Sequence, residues 1–465
     1  IYVNNPVYFR LAGESTVSLD TKYVEIIDTP EYQRLRKIQQ LGFTHFVYPS
    51  ATHTRFSHCL GVFDLCGQYV ESLSQNSGDF LFAFNSDSIR FARLAALLHD
   101  IGHYPFAHYF EELGSLSAEE TINFHHEHIG RRILSGELLL SEGNLRKTVC
   151  ENFGEDFLNN LNLIKKEPVI RDVLDGPIDC DKVDYLTRDG IACGVPYATA
   201  IDKQRLLVSL ACSEGSPGGD MQLGVTAKGI APVESIINAR YHLFSEVYWH
   251  KTCRAIAAML KFAMYQCVNS GTIRQSDLDQ AVLSRDDWSF LSWLYDSLVK
   301  TQPEAAYGLV RDALLSGNRA IYKRITTLST AWAASEARSN ISKLKSISGR
   351  GYDAVIDLQD RLISALNKEC CQRKGWVVLK SHELLLDIPP GNKDVLGLPE
   401  VYYEKDTRGK HWHNFTSISG TIRDEEILAR TQKIRVFVHP KRVPQMCLVE
   451  NINGVIGSIL NSYAS

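Results

Sequence analysis

The sequence predicts a mainly α fold, with a helical core over residues 1–270, a helical extension over 271–371 and a smaller α+β lobe over 372–465. Three observations favour this class. Apolar residues recur at helical spacing from Ser57 to Leu73. The segment "SIRFARLAALLHDIG" is apolar on most sides, as expected for a central buried helix. Beyond residue 372, β-branched runs such as "IRVFVHP" replace the helical pattern.

The N-terminal elements are predicted to be short. Residues 1–20 read as loop and short strand. "TKYVEIIDTPEYQRLRKIQQLG" predicts two short helices, separated by Pro30 and ended by Gly42. The aromatic and β-branched run "FTHFVYP" predicts a short strand.

The later elements are mostly helical. "FAHYFEEL" predicts a turn or short helix and "INFHHEHIGRRILS" an amphipathic one. "VIRDVLDGPIDCDKVDYLTRDGIACG" reads as two helices around a Gly-Pro break, and residues 232–268 as one long helical stretch. Residues 275–370 continue in helix, and the tail adds strand-like runs "GWVVLKS", "IRVFVHP" and "QMCLVE".

Composition is that of an ordinary globular protein. The 465 residues are 44% hydrophobic and 22% charged, with a net charge of -4, which gives no global attraction to nucleic acid or anionic membrane. The net charge does not exclude a local basic patch. No membrane span is expected. Eleven scattered cysteines without a Cys-x-x-Cys pair favour reduced thiols in a cytoplasmic compartment, with a nuclear one also open. The sequence begins with Ile1 rather than Met, so it does not exclude a segment before this residue.

Histidines concentrate in one part of the chain. Nine of the fifteen are His45, His53, His58, His99, His103, His108, His125, His126 and His128. Imidazole can bind a metal when neutral and can transfer protons near pH 7. The pair His99-Asp100 stands at the end of the predicted buried helix, where Gly102 and Pro105 interrupt the regular helical geometry. Such a pair suits one divalent cation of the Mn, Fe, Ni, Zn or Mg group, with His58 and Asp181 as candidates to complete the ligand set.

Each motif also has a purely structural interpretation. A lone His-Asp pair is usually a surface feature, and "DKVDYLTRD" by itself is typical of a charged helix face. His45 and His53 would then pack or hydrogen-bond near the aromatic run, and His125 and His128 would be solvated.

Taken together, the motifs favour a catalytic site over the structural interpretations. "IIDTPEYQRLRKIQQLG", "HTRFSHCLGV", "LLHDIGHYPFAHYFE", "HHEHIG", "IDCDKVDYLTRD" and "ARYHLFSEVYWHK" resemble, in this order, blocks of the HD-domain deoxynucleoside triphosphate (dNTP) triphosphohydrolases. The resemblance covers residues 1–260, implies an HD-domain helical core, and includes no SAM domain.

The resemblance implies specific roles. Metal ligands would be His58, His99, Asp100 and Asp181. The catalytic residues would be His108 as the general acid, Glu111 as the residue that holds the His108 ring, and His126 beside the phosphate. Substrate contacts would be Arg55, His103, Lys182 and Arg240 at the phosphates, Gln40 and Asp189 at the 3′-hydroxyl, Tyr185 beside sugar C2, and Tyr248 near sugar and base. Glu111 and Trp249 depart from a human member of the family, which has an aspartate and a glutamine there.

The same resemblance implies regulation and assembly. Asn4, Asp28, Gln33 and Arg36 match a regulatory nucleotide site, so a dNTP or GTP activator is a candidate. Asp28 is alternatively a plain helix N-cap. A homo-oligomer, dimer or tetramer, is expected. The basic tail "RTQKIRVFVHPKRV" is interpreted as an interface, with an effector site and a nucleic-acid patch as alternatives. The predicted activity releases deoxynucleoside and inorganic triphosphate. Alternatives are another HD phosphohydrolase (a nucleotide phosphatase or phosphodiesterase), or a non-catalytic nucleotide sensor or nucleic-acid-binding scaffold.

Overall fold

The computed structural model confirms the mainly α class. It describes residues 6–13, 16–76, 86–117, 121–140, 143–213, 222–329, 335–389, 400–406, 409–415 and 433–463. The chain divides into a first unit, Ile1–His103 with His126–Val247 and Val395–Ile422, and a second unit, Tyr104–His125 with Tyr248–Asp394 and Arg423–Ser465. The predicted three-part division at residues 270 and 372 stays a prediction.

The first unit is built mainly of helices. Its α-helices are Thr21–Ile27, Pro30–Gln33, Arg55–Asn76, Ser86–Leu98, His126–Ser135, Leu145–Phe153, Phe157–Ile164, Pro168–Asp175, Cys180–Cys193, Lys203–Leu207 and Ile230–Leu243. Single 3-10 turns are Arg34–Lys37, Gly42–Phe46, Ala198–Ala200 and Ala227–Gly229.

The centre of the first unit is the Arg55–Asn76 helix, which packs against Ser86–Leu98 and Cys180–Cys193. Its buried side chains include Leu60, Phe63 and Tyr69, at the helical spacing that the sequence predicts. The packing of these three helices against one another brings one end of each close together. Those helix ends carry the candidate site.

Two small sheets complete the first unit. Val7–Arg10 pairs antiparallel with Thr16–Leu19. A four-stranded sheet has the order Gly409–Asn414, Glu400–Asp406, Gln222–Thr226, Leu210–Ser213, with one parallel pairing between Gln222–Thr226 and Glu400–Asp406.

Two predicted elements near the site are wrong in detail. "FTHFVYP" is not a strand but the 3-10 turn Gly42–Phe46, because Gly42 takes φ 48° and His45 Nδ1 lies 3.0 Å from its carbonyl oxygen. Its aromatic residues reflect burial of Phe43 rather than strand pairing. The helix predicted from residue 122 begins only at His126, because Thr121–Asn123 pairs as a strand with Ser115–Ser117.

The second unit is also largely helical. Its α-helices are Ala107–Glu111, Lys251–Asn269, Gln275–Ser284, Asp287–Thr301, Pro303–Ala306, Ser335–Ser348, Tyr352–Cys370, Val443–Met446 and Ile452–Tyr463. A π-helix, Tyr307–Leu315, and the 3-10 turns Ser381–Glu383 and Pro440–Arg442 lie between them.

The long helix predicted over residues 232–268 is interrupted. Its regular α-helix ends at Leu243, the turn Phe244–Tyr248 has π geometry, and Lys251–Asn269 starts again. His250 caps the new start, since its Nδ1 accepts a hydrogen bond from the backbone N–H of Thr252 at 3.2 Å.

A three-stranded antiparallel sheet lies in the second unit. Ile434–Val438 is its central strand, between Lys323–Leu328 and Leu384–Asp387. The prediction for "IRVFVHP" is therefore confirmed.

The other two strand predictions in the tail are wrong. "GWVVLKS" forms no strand, because the Asn367 side chain bonds both the N–H and the C=O of Leu379, which occupies those ladder groups. "QMCLVE" begins within the Val443–Met446 helix, because Pro444 stands in its first turn, where the fixed φ of proline suits a helix start. None of the helices in the described ranges combines the length and apolar character that a membrane crossing requires.

Candidate metal and phosphate site

Three helix ends of the first unit carry the candidate metal ligands. His58 lies in the first turn of Arg55–Asn76, and Asp181 in the first turn of Cys180–Cys193. His99 and Asp100 follow Leu98, the last residue of Ser86–Leu98. Asp179 caps the Asp181 helix by accepting from the backbone N–H of Lys182 at 2.6 Å.

The candidate ligand atoms lie close together. His58 Nε2 is 2.9 Å from Asp181 Oδ1 and 3.3 Å from His99 Nε2, while His99 Nε2 is 3.8 Å from Asp181 Oδ1. Asp100 adds Oδ1 at 3.4 Å from His99 Nε2 and Oδ2 at 3.9 Å from His58 Nε2. Ligand atoms that share an octahedral cation at bond lengths of about 2.1 Å lie about 3 Å apart. His58, His99 and Asp181 therefore fit a single divalent cation, and Asp100 lies beside them as the predicted fourth ligand.

Second partners orient both imidazoles. His58 Nδ1 lies 2.8 Å from Asp184 Oδ2, and His99 Nδ1 lies 2.8 Å from the carbonyl oxygen of Ala96. An Nδ1–H that donates to an oxygen leaves the Nε2 lone pair available for a metal. Both rings thus present Nε2 to the same point.

Asp184 is itself held by a buried arginine. Arg188 donates to both of its oxygens, at 2.6 Å to Oδ1 and 2.9 Å to Oδ2. Burial alone would raise the pKa of Asp184, but Arg188 and His58 hold it well below its usual range. Gly61 makes room for this pair, because a Cβ there would lie 2.0 Å from Asp184 Oδ1. Asp184 therefore stays a carboxylate beside His58.

The carboxylates also set the electrostatics of the ligands. Burial would lower the pKa of His58, but the Asp181 and Asp184 carboxylates, which accept hydrogen bonds from its ring, raise it to about 10. Burial would raise the pKa of Asp100, whereas His103, His99 and Arg55 hold it well below its usual range. The site thus concentrates negative charge where cation binding requires it.

Cationic side chains lie around this group. The Arg55 guanidinium donates to Asp100 Oδ2 at 2.9 Å and to the Gln40 carbonyl at 3.3 Å. Lys182 Nζ lies 2.6 Å from Asp179 Oδ2 and remains partly exposed. Arg240 is buried, with its guanidinium 5.3 Å from the centre of the Phe244 ring. These three side chains, with His103, are the ones that the resemblance predicts at the phosphates.

His103 and His126 are brought face to face. Their rings stack with centroids 3.8 Å apart, and His103 Nδ1 lies 2.9 Å from Asp100 Oδ1. Gly102 permits the approach, because a Cβ on it would lie 2.0 Å from the His126 carbonyl oxygen and 2.3 Å from the Gly130 nitrogen. His126 begins its helix at this contact.

The residues predicted to hold the sugar hydroxyl also lie in the first unit. Asp189 is buried, with Oδ1 2.7 Å from His53 Nε2. Within the described ranges, the buried Gln40 Oε1 has no hydrogen-bond partner, so it is an acceptor without a donor. Tyr185 lies one turn before Asp189 on the same helix and is partly buried.

The predicted acid and its holder belong to the second unit. His108 Nδ1 lies 2.9 Å from Glu111 Oε2, so the longer Glu111 side chain still reaches the imidazole. Both stand on the five-residue helix Ala107–Glu111, which starts after Phe106 at φ 61°. A left-handed phenylalanine is strained, and such strain is concentrated at functional sites. Tyr248, also of this unit, ends the π turn and is partly buried.

Three of the four predicted regulatory residues can be placed. Asn4 lies outside the described residues. Arg36 Nε donates to Gln33 Oε1 at 2.8 Å, and its guanidinium lies 3.5 Å from the centre of the Phe56 ring. Asp28 is exposed and is the C-cap of Thr21–Ile27, so its interpretation as an N-cap is wrong: Thr29 holds the N-cap position of the next helix.

Sequence reasoning missed the supporting residues of the site. Asp184 and Arg188 belong to a segment whose charges are typical of a solvated helix face, but both side chains are buried. The signal in the sequence is their spacing. Asp184 follows Asp181 by three residues and Arg188 follows Asp184 by four, so the three side chains are neighbours on one face of a helix. His53, which is predicted to pack or to hydrogen-bond near the aromatic run, has its Nε2 2.7 Å from Asp189 Oδ1.

Family comparisons match the same region. The model of the HD domain matches residues 55–188, from Arg55 to Arg188. The model of the HD associated region matches residues 201–356. The first range contains the four candidate metal ligands and their supporting pair.

Curated relatives align over part of their length. An uncharacterized protein of Methanocaldococcus jannaschii is 35% identical over 280 residues, which cover 60% of this chain and 52% of that protein. The deoxynucleoside triphosphate triphosphohydrolase SAMHD1 homolog of Dictyostelium discoideum is 31% identical over 243 residues, covering 51% of this chain and 45% of that protein. The chain thus spans about half the length of the curated relatives that it matches.

A solved structure has the same fold. A phosphohydrolase from Bacteroides thetaiotaomicron superimposes with a TM-score of 0.64 and 19% identity, covering 93% of this chain and 99% of that chain. At this identity the likeness concerns the fold alone.

Proposed function

Since this chain belongs to the HD-domain family and carries its associated region, we propose that it hydrolyses dNTPs at the α-phosphorus. Water attacks that phosphorus, the bond to the 5′-oxygen breaks, and the products are deoxynucleoside and inorganic triphosphate. The Dictyostelium relative, named a deoxynucleoside triphosphate triphosphohydrolase, supports this assignment.

The observation that carries the proposal is the ligand group beside fixed cations. His58, His99 and Asp181 place one ligand atom each within 4.8 Å of the others, and Arg55 donates to Asp100 next to them. A divalent cation held there would supply Lewis-acid polarisation of a phosphoryl oxygen. A triphosphate needs positive charge in a water-poor site, which Arg55, Lys182 and Arg240 provide by planar forks and a point charge.

The polyphosphate would be bound by these cations in different ways. The buried Arg55 is already oriented by Asp100, so it can receive a phosphate without reorganisation. Lys182 is paired with Asp179 and partly exposed, so its ammonium must exchange or share that partner when phosphate arrives. His103 and the stacked His126 supply ring N–H groups beside Arg55 and Asp100.

The leaving 5′-oxygen requires a proton. His108 is the candidate acid, and Glu111 at 2.9 Å stabilises its imidazolium and fixes the ring. A positioned general acid contributes about 10²–10⁴-fold to such a step.

Sugar recognition is assigned to a separate group. The Asp189 carboxylate would accept the hydrogen bond that the 3′-hydroxyl donates, with the Gln40 side chain beside that hydroxyl and Tyr185 excluding a 2′-hydroxyl by contact. Tyr248 would pack against sugar and base. Nucleotide activation through Asp28, Gln33 and Arg36, and assembly into a dimer or tetramer, belong to the same proposal.

Product analysis tests this function. Purified protein is incubated with Mn²⁺ and each dNTP, alone and in pairs, in water enriched in oxygen-18. Inorganic triphosphate that carries the heavy oxygen, together with unlabelled deoxynucleoside, is expected. Pyrophosphate or orthophosphate as the first product would instead indicate a different HD phosphohydrolase activity. Activation seen only in pairs of dNTPs would support regulation.

A matched pair of variants connects the activity to the ligand group. Asp181→Ala should abolish both turnover and Mn²⁺ binding. Asp175→Ala, which removes an exposed carboxylate at the end of Pro168–Asp175, should leave both unchanged. Full metal content and rate in Asp181→Ala would overturn the ligand assignment.

A further inference from the structure

The second unit contains four charged side chains in a buried charge cluster: Glu112, Arg254, Lys261 and Asp387. Arg254 donates to Glu112 Oε1 at 2.5 Å and Oε2 at 2.9 Å, and to Asp387 Oδ1 at 2.5 Å and Oδ2 at 2.9 Å. Lys261 Nζ lies 2.6 Å from Glu112 Oε2 and 3.3 Å from Asp387 Oδ1. Two cations and two anions thus pair with one another inside the protein.

The buried charge cluster joins three elements. Glu112 directly follows the Ala107–Glu111 helix, which carries His108. Arg254 and Lys261 stand two turns apart on Lys251–Asn269. Asp387 ends the strand Leu384–Asp387, where it is paired in register with Arg435 of the central strand. The end of the His108 helix is therefore tied to a long helix and to a sheet.

The carboxylates of the buried charge cluster remain ionised. Burial would raise their pKa values, but Arg254 and Lys261 lower the pKa of Asp387 to about 2 and also lower that of Glu112. Buried ion pairs are seldom the most stable choice for a core, and their best attested use is to fix a specific arrangement.

The same short helix and the segment before it are also held by aromatic residues. Tyr104 donates to the carbonyl oxygen of Phe124 at 2.8 Å, and the Phe110 ring lies 5.8 Å from that of Phe290. A helix of five residues cannot hold its shape without such contacts. The His108 side chain is 57% exposed, so its position is set mainly by the backbone of this helix.

We propose that the buried charge cluster is a positioning device for His108, which holds the acid's helix at its C-terminal end. The inference rests on the proposed function, in which His108 protonates the leaving 5′-oxygen. Glu112, Arg254, Lys261 and Asp387 are positioning residues, since they act through the backbone of Ala107–Glu111. A displacement of about 1 Å at a reacting group can cost about 10²-fold in rate.

A leaving-group comparison tests the role. In one substrate the 5′-oxygen of the dNTP is replaced by sulfur, because a thiolate leaves without a proton. We expect Asp387→Asn to lower kcat about 10²-fold for the oxygen substrate with little change in KM, and to leave the sulfur substrate within about threefold of the parent. Equal losses on both substrates, or no loss on either in a folded protein, would overturn the positioning role.

A charge-balanced variant covers the case in which Asp387→Asn fails to fold. Glu112→Gln/Lys261→Met removes one charge of each sign and leaves Arg254 paired with Asp387. It should show the same selective loss on the oxygen substrate. Asp353→Asn is the matched control, since it removes a carboxylate that accepts from Tyr265 of the same long helix at 2.7 Å; it should keep both rates.

Chemical rescue gives a second measurement. Glu112 and Lys261 line a cavity of about 190 Å³ that also touches Gly349 and Tyr352. In Lys261→Ala, added ethylammonium should enter this cavity and restore the oxygen-substrate rate, while the bulkier tetramethylammonium should not. A folded Lys261→Ala protein with the parent rate would contradict the proposal.

A readout without turnover separates this inference from the proposed function. With histidines labelled by carbon-13 at Cε1, the His108 resonance should shift in Asp387→Asn, while those of His58 and His99 stay in place. Absence of inorganic triphosphate from the parent protein would reject the proposed function alone. An unmoved His108 resonance would reject the positioning role alone.

Discussion

Replacing Asp184 with Asn should weaken metal binding without touching a metal ligand. Asp184 Oδ2 accepts from His58 Nδ1 at 2.8 Å, and its charge is balanced by Arg188. Asn keeps the shape but loses the negative charge that strengthens the bond to the imidazole. Loss of such a partner of a metal-ligating histidine typically costs about 10–100-fold in metal affinity, which equals about 1.4–2.7 kcal/mol.

The same substitution has a separate effect on stability. It leaves the Arg188 guanidinium, which is 4% exposed, without its counter-charge. Breaking a buried pair in this way costs about 3–5 kcal/mol, a large part of a typical total of about 5–15 kcal/mol. The double variant Asp184→Asn/Arg188→Gln removes both charges, so it should recover most of the stability while the metal affinity stays low.

Calorimetric titration of Mn²⁺ into metal-free protein measures the affinity, and urea unfolding followed by circular dichroism measures the stability. Asp87→Asn is the control, because it changes a 74% exposed carboxylate in the first turn of the helix that precedes His99. If the folded double variant binds Mn²⁺ within about twofold of the parent, Asp184 does not tune the ligand and the reasoning is refuted.

Three further predictions concern packing, pH and catalysis. Gly61→Ala should destabilise the protein by about 1–3 kcal/mol in urea unfolding, because its Cβ would overlap Asp184; Gly67→Ala, whose Cβ would meet Arg93 at 3.3 Å, should be tolerated far better. Asp387 has its folded-state pKa lowered to about 2, so its stabilising charge is fully present above about pH 4 and lost as the pH falls toward 2. Asp387→Asn should accordingly flatten the dependence of stability on pH in that window, and an unchanged slope would contradict the assignment. His108→Gln should lower kcat for dNTP hydrolysis by about 10²–10⁴-fold while Mn²⁺ affinity stays at the parent value, and a parent-like kcat would exclude His108 as the acid.

The convergence of the candidate ligands was within reach of the sequence. A buried helix that ends in His99-Asp100 has to release its last polar residues at a helix end, and His58 and Asp181 stand in the first turns of two other helices. The structure groups His58, His99 and Asp181, with Asp100 beside them, while the role of the four as ligands stays a prediction. What the sequence could not provide was the packing partner that turns a charged stretch into a buried one.

The segment "DKVDYLTRD" illustrates that limit. Its charges are typical of a solvated face, yet Asp184 and Arg188 are buried because Gly61 of a helix far away in sequence leaves space for them. The run "FTHFVYP" fails for a related reason: aromatic residues signal burial equally in a strand and in a 3-10 turn, and Gly42 at φ 48° decides between them. Short segments are settled by tertiary contacts that local patterns do not contain.

The order of strands in the second unit has a consequence for biosynthesis. Ile434–Val438 lies between two strands that the ribosome completes earlier, at Leu328 and Asp387. Until residue 438 has emerged, both earlier strands expose unpaired backbone groups, and Asp387 lacks the neighbouring Arg435. A nascent chain adds about 5–20 residues per second, so this sheet stays open for several seconds during translation.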